Sequence, residues 1–207
     1  MLFRSGNGVE FAQAVAKNFD NDCSLSVFKN FGTAQIKFDD WIIEFIGARK
    51  ESYRRDSRKP IVENGTLEDD QNRRDFTINS MYLSLNNDNY GELYDPFNGI
   101  QDLQNMVIRT CADPQITFDD DPLRMLRGIR FATRLNFRIE VRTFDAIKAN
   151  ASRIEIVSQE RISDEINGMI MCDKPSRAFE MMSNTGLLDI IFPEMMLLHG
   201  EIGRAHV

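Results

Sequence analysis

The sequence predicts an α+β fold in which a small unit of strands and helices precedes a helical unit. Short runs rich in aromatic and β-branched residues, which are typical of strands, lie before residue 110. From Asp121 onward, apolar residues recur almost throughout at helical spacing. A chain of 207 residues can bury a real core, in one large domain or in two small ones.

The first unit is predicted to open with a helix that packs on a sheet. Val9 to Asn18 carries apolar residues on one helical face, and the pattern stops at Asp20-Asn21-Asp22. Three strands follow, the last two as a hairpin with its turn at Asp39-Asp40, over residues 25–28, 33–38 and 41–46. The polar stretch from Glu51 to Asp70 predicts a mobile loop.

Mixed elements are predicted after this loop. Asp75 to Leu85 is expected to be helical, and Tyr94 to Gly99 should connect into a short helix followed by a strand at Val107 to Arg109. Further on, a helix begins after Ser158 and presents one apolar face formed by Ile162, Ile166, Met169 and Ile170. Another helix should run from about Pro175 to Asn184, with Gly186 after its end.

Composition narrows the class of protein. The hydrophobic share of 42% and the charged share of 28% are those of an ordinary globular protein. A net charge of −7 argues against wholesale coating of nucleic acid but permits a local arginine cluster. Cys23, Cys111 and Cys172 form no Cys-x-x-Cys pair, which fits a reducing cytoplasm. Because no apolar run approaches a membrane span, we expect no membrane partner.

Arginines recur every three or four residues between positions 124 and 138. On a helix they would form one stripe opposite Met125, Leu126 and Ile129; the five are Arg124, Arg127, Arg130, Arg134 and Arg138. In an acidic protein such a stripe is a candidate phosphate-binding surface. A solvated charged face is the alternative.

Four segments resemble one known family. They are Arg73-Arg74-Asp75-Phe76-Thr77-Ile78-Asn79, Asp95 to Gly99, Asp120 to Phe131, and Ser158 to Ile162. In this order they resemble the class II tRNA nucleotidyltransferases, the bacterial CCA-adding enzymes and related bacterial poly(A) polymerases. The resemblance implies a nucleotidyltransferase head with a mixed sheet at 6–112 and an all-helical neck, the nucleotide-recognition domain, at 113–200. It also implies addition of C and A, from CTP and ATP, to the tRNA 3′ end with Mg²⁺.

The family's head normally begins with a Gly-Gly loop and an Asp-x-Asp strand that holds magnesium, and neither is present here. Asp20-x-Asp22 has the spacing but lacks a preceding glycine pair. Leu2 to Ser5 and Glu201 to Ala205 can be encoded by sequences that resemble a sequencing adapter, although codon degeneracy alone could produce this match. Residues 1–5 and 201–207 are accordingly expected to be non-native ends. We therefore expect a piece of a longer protein that is inactive by itself.

The resemblance assigns candidate residues for the metal, the phosphates and the sugar. Glu44 matches the family's third acidic residue, with an exposed strand glutamate as the alternative. Arg73 and Arg74 at a predicted helix start would suit a triphosphate, and Asp75, in the same motif as Asn79, could accept a hydrogen bond from a ribose hydroxyl. The alternative is that Asp75 simply caps a helix.

Asp121 and Arg124 are the candidate base-recognition pair. Three residues apart on a helix, they can face one ligand, and an acceptor beside guanidinium donors complements the edges of cytosine and adenine. The family is understood to select CTP and ATP in this way. Alternatively, Asp121 caps the helix and Arg124 lies on the surface. Arg127 and Arg130 would add attraction for phosphate.

Asp95 and Gly99 match a flexible family element, although a tight turn explains them equally well. Two rival functions stay open: a bacterial poly(A) polymerase, and a non-catalytic RNA-binding module that uses the arginine stripe alone. A base-recognition pair predicts preference for CTP and ATP over UTP and GTP, whereas a stripe that binds only phosphate predicts none.

Overall fold

The computed structural model describes residues 2–3, 7–19, 23–28, 32–54 and 57–197. Its α+β fold divides into two compact units, and neither unit is continuous in sequence. The first comprises residues 1–51, 62–70 and 82–94, and the second comprises residues 52–61, 71–81 and 95–207. The chain therefore passes between the units five times.

In the first unit, one helix packs on a three-stranded antiparallel sheet, as predicted. Helix α1 (Gly8–Ala16) begins after Asn7, whose side chain accepts hydrogen bonds from two backbone N–H groups of the first turn. The sheet has the order β2-β3-β4, with bounds Cys23–Phe28, Thr33–Phe38 and Trp41–Ile46. Its core against α1 contains Ala12, Ala34, Ile36 and Phe45.

A second small sheet belongs to the same unit. Strand β1 (Leu2–Phe3) pairs in parallel with β7 (Tyr82–Ser84), and β7 pairs antiparallel with β8 (Leu93–Tyr94). A short 3₁₀ turn, Asn87–Asn89, lies between β7 and β8 at the place where a turn is predicted.

The predicted mobile loop from Glu51 to Asp70 is wrong. Strands β5 (Arg49–Arg54) and β6 (Ser57–Asn64) form a two-stranded sheet, and helix α2 (Leu67–Asn72) follows. Strand pairing satisfies backbone groups whatever the side chains are, so a polar composition does not exclude strands. The sequence contains a capping-box pattern at the start of α2, a threonine followed three residues later by an acidic residue. In the structure Thr66 N–H donates to the Asp69 carboxylate at 2.8 Å, and Asp69 N–H donates to Thr66 Oγ1 at 3.1 Å.

The predicted helix from Asp75 to Leu85 is also wrong. The structure has a 3₁₀ turn at Thr77–Asn79, after which the chain enters β7. Phe76 is fully buried and forms a β-bridge with Thr110, while the Thr77 N–H donates to the carbonyl oxygen of Arg109 at 2.9 Å. These long-range backbone bonds replace the bonds that a helix would make within itself.

Helices dominate the second unit, as predicted. Two two-residue strands, β9 (Val107–Ile108) and β10 (Arg138–Ile139), pair in parallel. The helices are α3 (Gly99–Gln104), α4 (Pro114–Asp120), α5 (Leu123–Arg134), α6 (Val141–Asn150), α7 (Gln159–Ile170), α8 (Pro175–Thr185), α9 (Leu187–Ile191) and α10 (Pro193–Leu197), with a 3₁₀ segment at Ala151–Ile156.

Helix α5 lies at the centre of the second unit. Met125, Leu126 and Ile129 are fully buried in a core to which α7 contributes Ile162, Ile166 and Met169, whereas the predicted fourth member of the α7 face, Ile170, is half exposed. Helix α8 ends as predicted before Gly186, whose φ of 79° lies in the left-handed region that favours glycine. None of the described helices is long and apolar enough to cross a membrane.

The predicted arginine stripe is shorter than expected. Helix α5 ends at Arg134, and Asn136 turns the chain with a φ of 56°. Arg138 therefore lies in β10 and not on the α5 stripe, which is a correction to the sequence prediction. The cause is local, since a left-handed residue breaks the helical register that the spacing of the arginines assumed.

Candidate functional site

Arg124 connects two of the sequence motifs. Its side chain is buried, with a relative exposure of 9% for the whole residue. Nη2 donates to the carbonyl oxygen of Arg73 at 2.8 Å, which joins residues 51 positions apart in the sequence. Within the described part of the chain, this is the only hydrogen bond of the Arg124 guanidinium, so its other N–H groups keep their donor capacity.

Asp121 stands directly before α5 and is held separately. Its Oδ1 accepts a hydrogen bond from the Leu123 N–H at 3.3 Å, but Pro122, predicted as the first helical residue, occupies the N-cap position, so Asp121 lies one residue before the cap and outside the helix. Its Oδ2 pairs with Arg161 on α7 at 3.2 Å. Asp121 and Arg124 therefore do not bond to each other, because each is fixed by a partner from another segment. In this arrangement, the Asp121 carboxylate can accept the Leu123 N–H bond and still offer acceptor capacity to a ligand.

A second carboxyl group, that of Asp120, lies beside the same helix start. Burial raises the pKa of Asp120, and the nearby Arg124 guanidinium opposes this shift.

Asp75 is occupied by protein partners. Its Oδ2 accepts two hydrogen bonds from Arg127, from Nε at 2.9 Å and from Nη2 at 2.7 Å. Its Oδ1 accepts from the Phe76 N–H at 2.9 Å and from Asn79 Nδ2 at 3.3 Å. A carboxylate offers about four acceptor positions, so a ribose hydroxyl would have to displace one of these donors. The role of Asp75 toward ribose stays a prediction.

Arg73 and Arg74 do not lie at a helix start, contrary to the sequence prediction. Helix α2 ends at Asn72, so both arginines follow its C-terminal end, where the helix dipole also favours cations. Arg74 donates from Nη1 to the carbonyl oxygen of Asn79 at 3.3 Å. The triphosphate role that was argued from a helix N-terminus therefore loses that argument and rests on the two guanidinium groups alone.

Arg127 and Arg130 share a buried glutamate. Glu165 on α7 accepts a hydrogen bond from Arg130 Nε at 2.6 Å and lies 3.8 Å from Arg127 Nη1. The Arg130 guanidinium also lies 4.5 Å from the centroid of the Phe131 ring. With Asp75 on its other side, Arg127 is neutralised as well. These two arginines brace the site, and a phosphate would compete with their carboxylate partners, so their phosphate role stays a prediction.

Gly168 leaves space for the side chain of Arg130 in this group of ion pairs. A Cβ atom at Gly168 would lie 2.6 Å from Cδ of Arg130, closer than non-bonded carbon atoms approach. Gly168 on α7 therefore provides the space through which the Arg130 side chain reaches Glu165. This glycine lies within the helical pattern and was not predicted from the sequence.

Asp95 and Gly99 build a tight turn at the start of α3. The Asp95 carboxylate accepts hydrogen bonds from the N–H groups of Gly99 and Ile100, at 2.6 and 2.9 Å. A Cβ atom at Gly99 would lie 2.4 Å from the carbonyl oxygen of Thr77, so only glycine fits. Asp95 and Gly99 therefore form the tight turn that the sequence allowed as an explanation. That this element is flexible stays a prediction.

Three further residues of the site were not found from the sequence. Asp102 is buried and accepts hydrogen bonds from Thr77 Oγ1 at 2.8 Å and from Arg109 Nε at 3.1 Å. Arg161 and Glu165 on α7 hold the arginine and aspartate side chains described above. Arg161 and Glu165 form a charged pair spaced i, i+4 beside the apolar face of α7. This spacing is also common on solvated helix faces, so it does not by itself indicate a site.

Glu44 lies in the first unit, on the exposed part of β4. Its Oε1 accepts a hydrogen bond from Gln35 Nε2, on the neighbouring strand, at 3.4 Å. Among the described residues, no group of three or more His, Cys, Asp or Glu side chains could hold a metal ion. Asp20-x-Asp22 falls outside the described residues. The described donors alone do not fit a divalent metal site.

Comparison with known families matches two consecutive regions of the chain. Residues 5–109 match the family described as "Poly A polymerase head domain". Residues 136–198 match the family described as "Probable RNA and SrmB- binding site of polymerase A".

The chain is also similar to curated tRNA nucleotidyltransferases. It is 36% identical over 188 residues to the A-adding tRNA nucleotidyltransferase of Aquifex aeolicus, covering 90% of this chain and 22% of the relative. It is 38% identical over 165 residues to the CCA-adding enzyme of Staphylococcus epidermidis, covering 79% of this chain and 40% of that enzyme. The chain thus spans well under half the length of these relatives.

Solved structures of tRNA nucleotidyltransferases are also similar to this chain. A tRNA nucleotidyltransferase complexed with a primer tRNA and an incoming ATP analog is 33% identical, with a TM-score of 0.75, covering 90% of this chain and 52% of that one. A CCA-adding enzyme in an apo form is 32% identical, with a TM-score of 0.82, covering 91% of this chain and 44% of that one.

Proposed function

Because this chain belongs to the poly A polymerase head-domain family, we propose that it carries the nucleotide-recognition part of a tRNA nucleotidyltransferase. The activity is the addition of C and A, from CTP and ATP, to the 3′ end of tRNA. The observation that carries the proposal is the buried Arg124, which is fixed to the Arg73 carbonyl beside an independently fixed Asp121.

The base-recognition pair works through its remaining hydrogen-bonding capacity. Arg124 donates to the ring acceptor, N3 of cytosine or N1 of adenine, and Asp121 accepts from the exocyclic amino group. Uracil and guanine present a donor and an acceptor in the reverse order. The bond to Arg73 fixes the Arg124 guanidinium and the bond to Arg161 fixes Asp121, so little ordering is left for the ligand to induce.

The neighbouring motif binds the rest of the nucleotide. Arg73 and Arg74 meet the triphosphate, and Asp75 and Asn79 meet the ribose once Asp75 releases one of its donors. Arg127 and Arg130 hold this frame through Glu165. Asp95 and Gly99 form the element that reshapes the site between the addition of C and the addition of A.

A divalent metal such as Mg²⁺ would supply activation of the attacking 3′-hydroxyl and charge stabilisation for the departing pyrophosphate. We propose Glu44 as one carboxylate that would hold it, although the described carboxylates do not form a complete ligand set. All three cysteines are free thiols, which supports action in a reducing cytoplasm.

Binding of the four ribonucleoside triphosphates to the chain tests the proposal. Isothermal titration should show tighter binding of CTP and ATP than of UTP and GTP. A preference for ATP alone would favour a poly(A) polymerase, to which the family description also refers. Equal binding of all four would contradict base recognition and favour a non-catalytic RNA-binding module.

A further inference from the structure

One aromatic ring contacts both arginines that brace the candidate site. Phe131 on α5 is half-buried, and the guanidinium carbons of Arg130 and Arg127 lie 4.5 and 5.4 Å from the centroid of its ring. Both distances are in the range of a cation–π interaction, in which the negative face of the ring attracts a guanidinium group. Like charges at this spacing on a helix repel each other, and the ring is a neutral partner for both.

The carboxylates of this network hold the two arginines unequally. Glu165 accepts a hydrogen bond from Arg130 Nε at 2.6 Å, but its distance of 3.8 Å from Arg127 Nη1 is too long for a hydrogen bond. Arg127 donates instead to Asp75, and its side chain is 34% exposed, against 16% for Arg130. The Phe131 ring therefore gives Arg127 a contact that Glu165 does not provide.

Phe131 also contacts the motif that carries Asp75. Its ring meets the ring of Phe76 edge to face, with centroids 5.9 Å apart and an interplanar angle of 85°. Asp75 accepts hydrogen bonds from the Arg127 guanidinium and from the Phe76 N–H. Two of the residues that hold the Asp75 carboxylate thus pack against the same ring.

We propose that Phe131 is a positioning residue, which holds Arg127, and through it the Asp75 carboxylate, in place for the ribose of a bound nucleotide. A ribose hydroxyl has to displace one donor from Asp75, and Arg127 supplies two of them. The ring keeps a partly released guanidinium in place, because a cation–π contact requires no acceptor atom. Asp75 can then exchange a protein donor for a ligand while Arg127 keeps its orientation. The identity of the ligand rests on the proposed function.

A role in packing alone makes different demands on this side chain. Phe131 packs against a small core of Phe76, Ile108 and Ala132, so its truncation lowers the free energy of unfolding in either case. Packing requires apolar volume, whereas positioning of a cation requires the face of an aromatic ring. A substitution that keeps one property and removes the other separates the two roles.

Four variants of the 207-residue chain make this separation. Phe131→Leu and Phe131→Met keep an apolar side chain without a ring, and Phe131→Tyr keeps the ring. Phe179→Leu on α8 is the matched control, since Phe179 is also half-buried and packs on the helical core, and no arginine faces its ring within the described residues. Urea unfolding establishes that each variant is folded, and Phe131→Met serves if Phe131→Leu is not.

Titration with CTP, 2′-deoxy-CTP and 3′-deoxy-CTP measures the contact with the ribose. The ring-free variants should bind CTP about 3- to 10-fold more weakly, the size of one cation–π contact, and should change by less than ~2-fold for the analogue that lacks the hydroxyl bound by Asp75. Phe131→Tyr and Phe179→Leu should bind all three nucleotides as the unmodified chain does. An equal loss for CTP and both analogues, or the same loss in Phe179→Leu, would overturn the proposal.

The side-chain Nε–H group of Arg127 tests the positioning without any ligand. Its signal in a proton–nitrogen NMR spectrum is identified by its absence in Arg127→Gln. Because this N–H donates to Asp75, it is protected from exchange with water, and its exchange should become at least ~5-fold faster in the ring-free variants. The rate should stay unchanged in Phe131→Tyr and Phe179→Leu. Unchanged exchange in the ring-free variants would overturn the proposal.

The two measurements also separate this proposal from the proposed function. Faster Arg127 exchange in the ring-free variants of a chain that binds no nucleotide would support the hold of Phe131 on Arg127 and contradict the proposed function. Preferential binding of CTP and ATP that is insensitive to the ring, together with unchanged Arg127 exchange, would support the proposed function and overturn the role of Phe131.

Discussion

Arg127 donates two hydrogen bonds to one carboxylate oxygen of Asp75, across 52 positions of sequence. The Asp75 side chain is only 10% exposed and that of Arg127 is 34% exposed, so solvent screens this pair incompletely. The contact ties the motif that begins at Arg73 to helix α5 within one unit. It also means that a phosphate would compete with Asp75 for this arginine of the predicted phosphate-binding stripe.

The Asp75–Arg127 pair should show energetic coupling. In a double-mutant cycle with Asp75→Asn and Arg127→Gln, we expect a coupling free energy of about 1.5 to 3 kcal/mol, because both hydrogen bonds involve charged groups. Urea unfolding of the four proteins measures it. Purely additive changes would mean that the pair contributes nothing beyond its separate side chains.

Arg124→Ala should relax base choice in a complete enzyme. The change removes charge-assisted hydrogen bonds worth roughly 1.5–3 kcal/mol, so discrimination of CTP and ATP against UTP and GTP should fall by about 10- to 100-fold. Contacts of Arg73 and Arg74 to the triphosphate would survive, and residual binding is expected. Competition assays with the four nucleotides measure this ratio. A folded variant with unaltered preference would leave Asp121 as a helix cap only.

Gly99→Ala should destabilise the second unit. The added Cβ atom would lie 2.4 Å from the carbonyl oxygen of Thr77, and backbone on both sides would have to move. We expect a loss of about 1–3 kcal/mol in the free energy of unfolding. Gly47→Ala is the matched control, since its Cβ atom would meet its nearest neighbour at 3.6 Å, an ordinary contact. Equal stability of the two variants would show that the turn at Gly99 yields easily.

Cys111 should resist alkylation while the protein is folded. Burial raises the pKa of its thiol from the ordinary value to about 12, although a hydrogen bond with Ser80 acts in the opposite direction. A raised pKa keeps the thiol protonated, so the thiolate population at pH 8.5 falls by about a thousandfold. Iodoacetamide labelling followed by peptide mass spectrometry should show slow modification at Cys111 and fast modification after unfolding in guanidinium. Rapid labelling of the native protein would place Cys111 in solvent.

Elements with a buried, periodic face could be predicted from the sequence. Helices α1, α5, α7 and α8 and strand β3 carry such faces, because apolar side chains at fixed spacing identify the side that packs on the core. The segment from Asp75 to Leu85 could not be predicted in the same way, since its backbone bonds to Arg109 and its neighbours, which are distant in sequence.

The sequence motifs predicted some residues of the candidate site but not the contacts between them. The motifs contain Asp75, Asp121 and Arg124, and the structure gives each of them a partner. Those partners are Arg127 for Asp75, Arg161 for Asp121 and the Arg73 carbonyl oxygen for Arg124, which lie 52, 40 and 51 positions away. Which charges pair across such distances is decided by the packing of α5 and α7, and a single sequence does not reveal it.

The five passages between the two units constrain the order in which the protein can fold during synthesis. The first unit needs residues up to 94, yet residues 52–61 and 71–81, which belong to the second, leave the ribosome before it is complete. Residues 71–81 must wait for α5, because Asp75 bonds to Arg127 and Phe76 packs against Ala132. Phe76 and Asp75 would meanwhile be exposed on the nascent chain, and their burial marks the moment at which the helical unit closes over them.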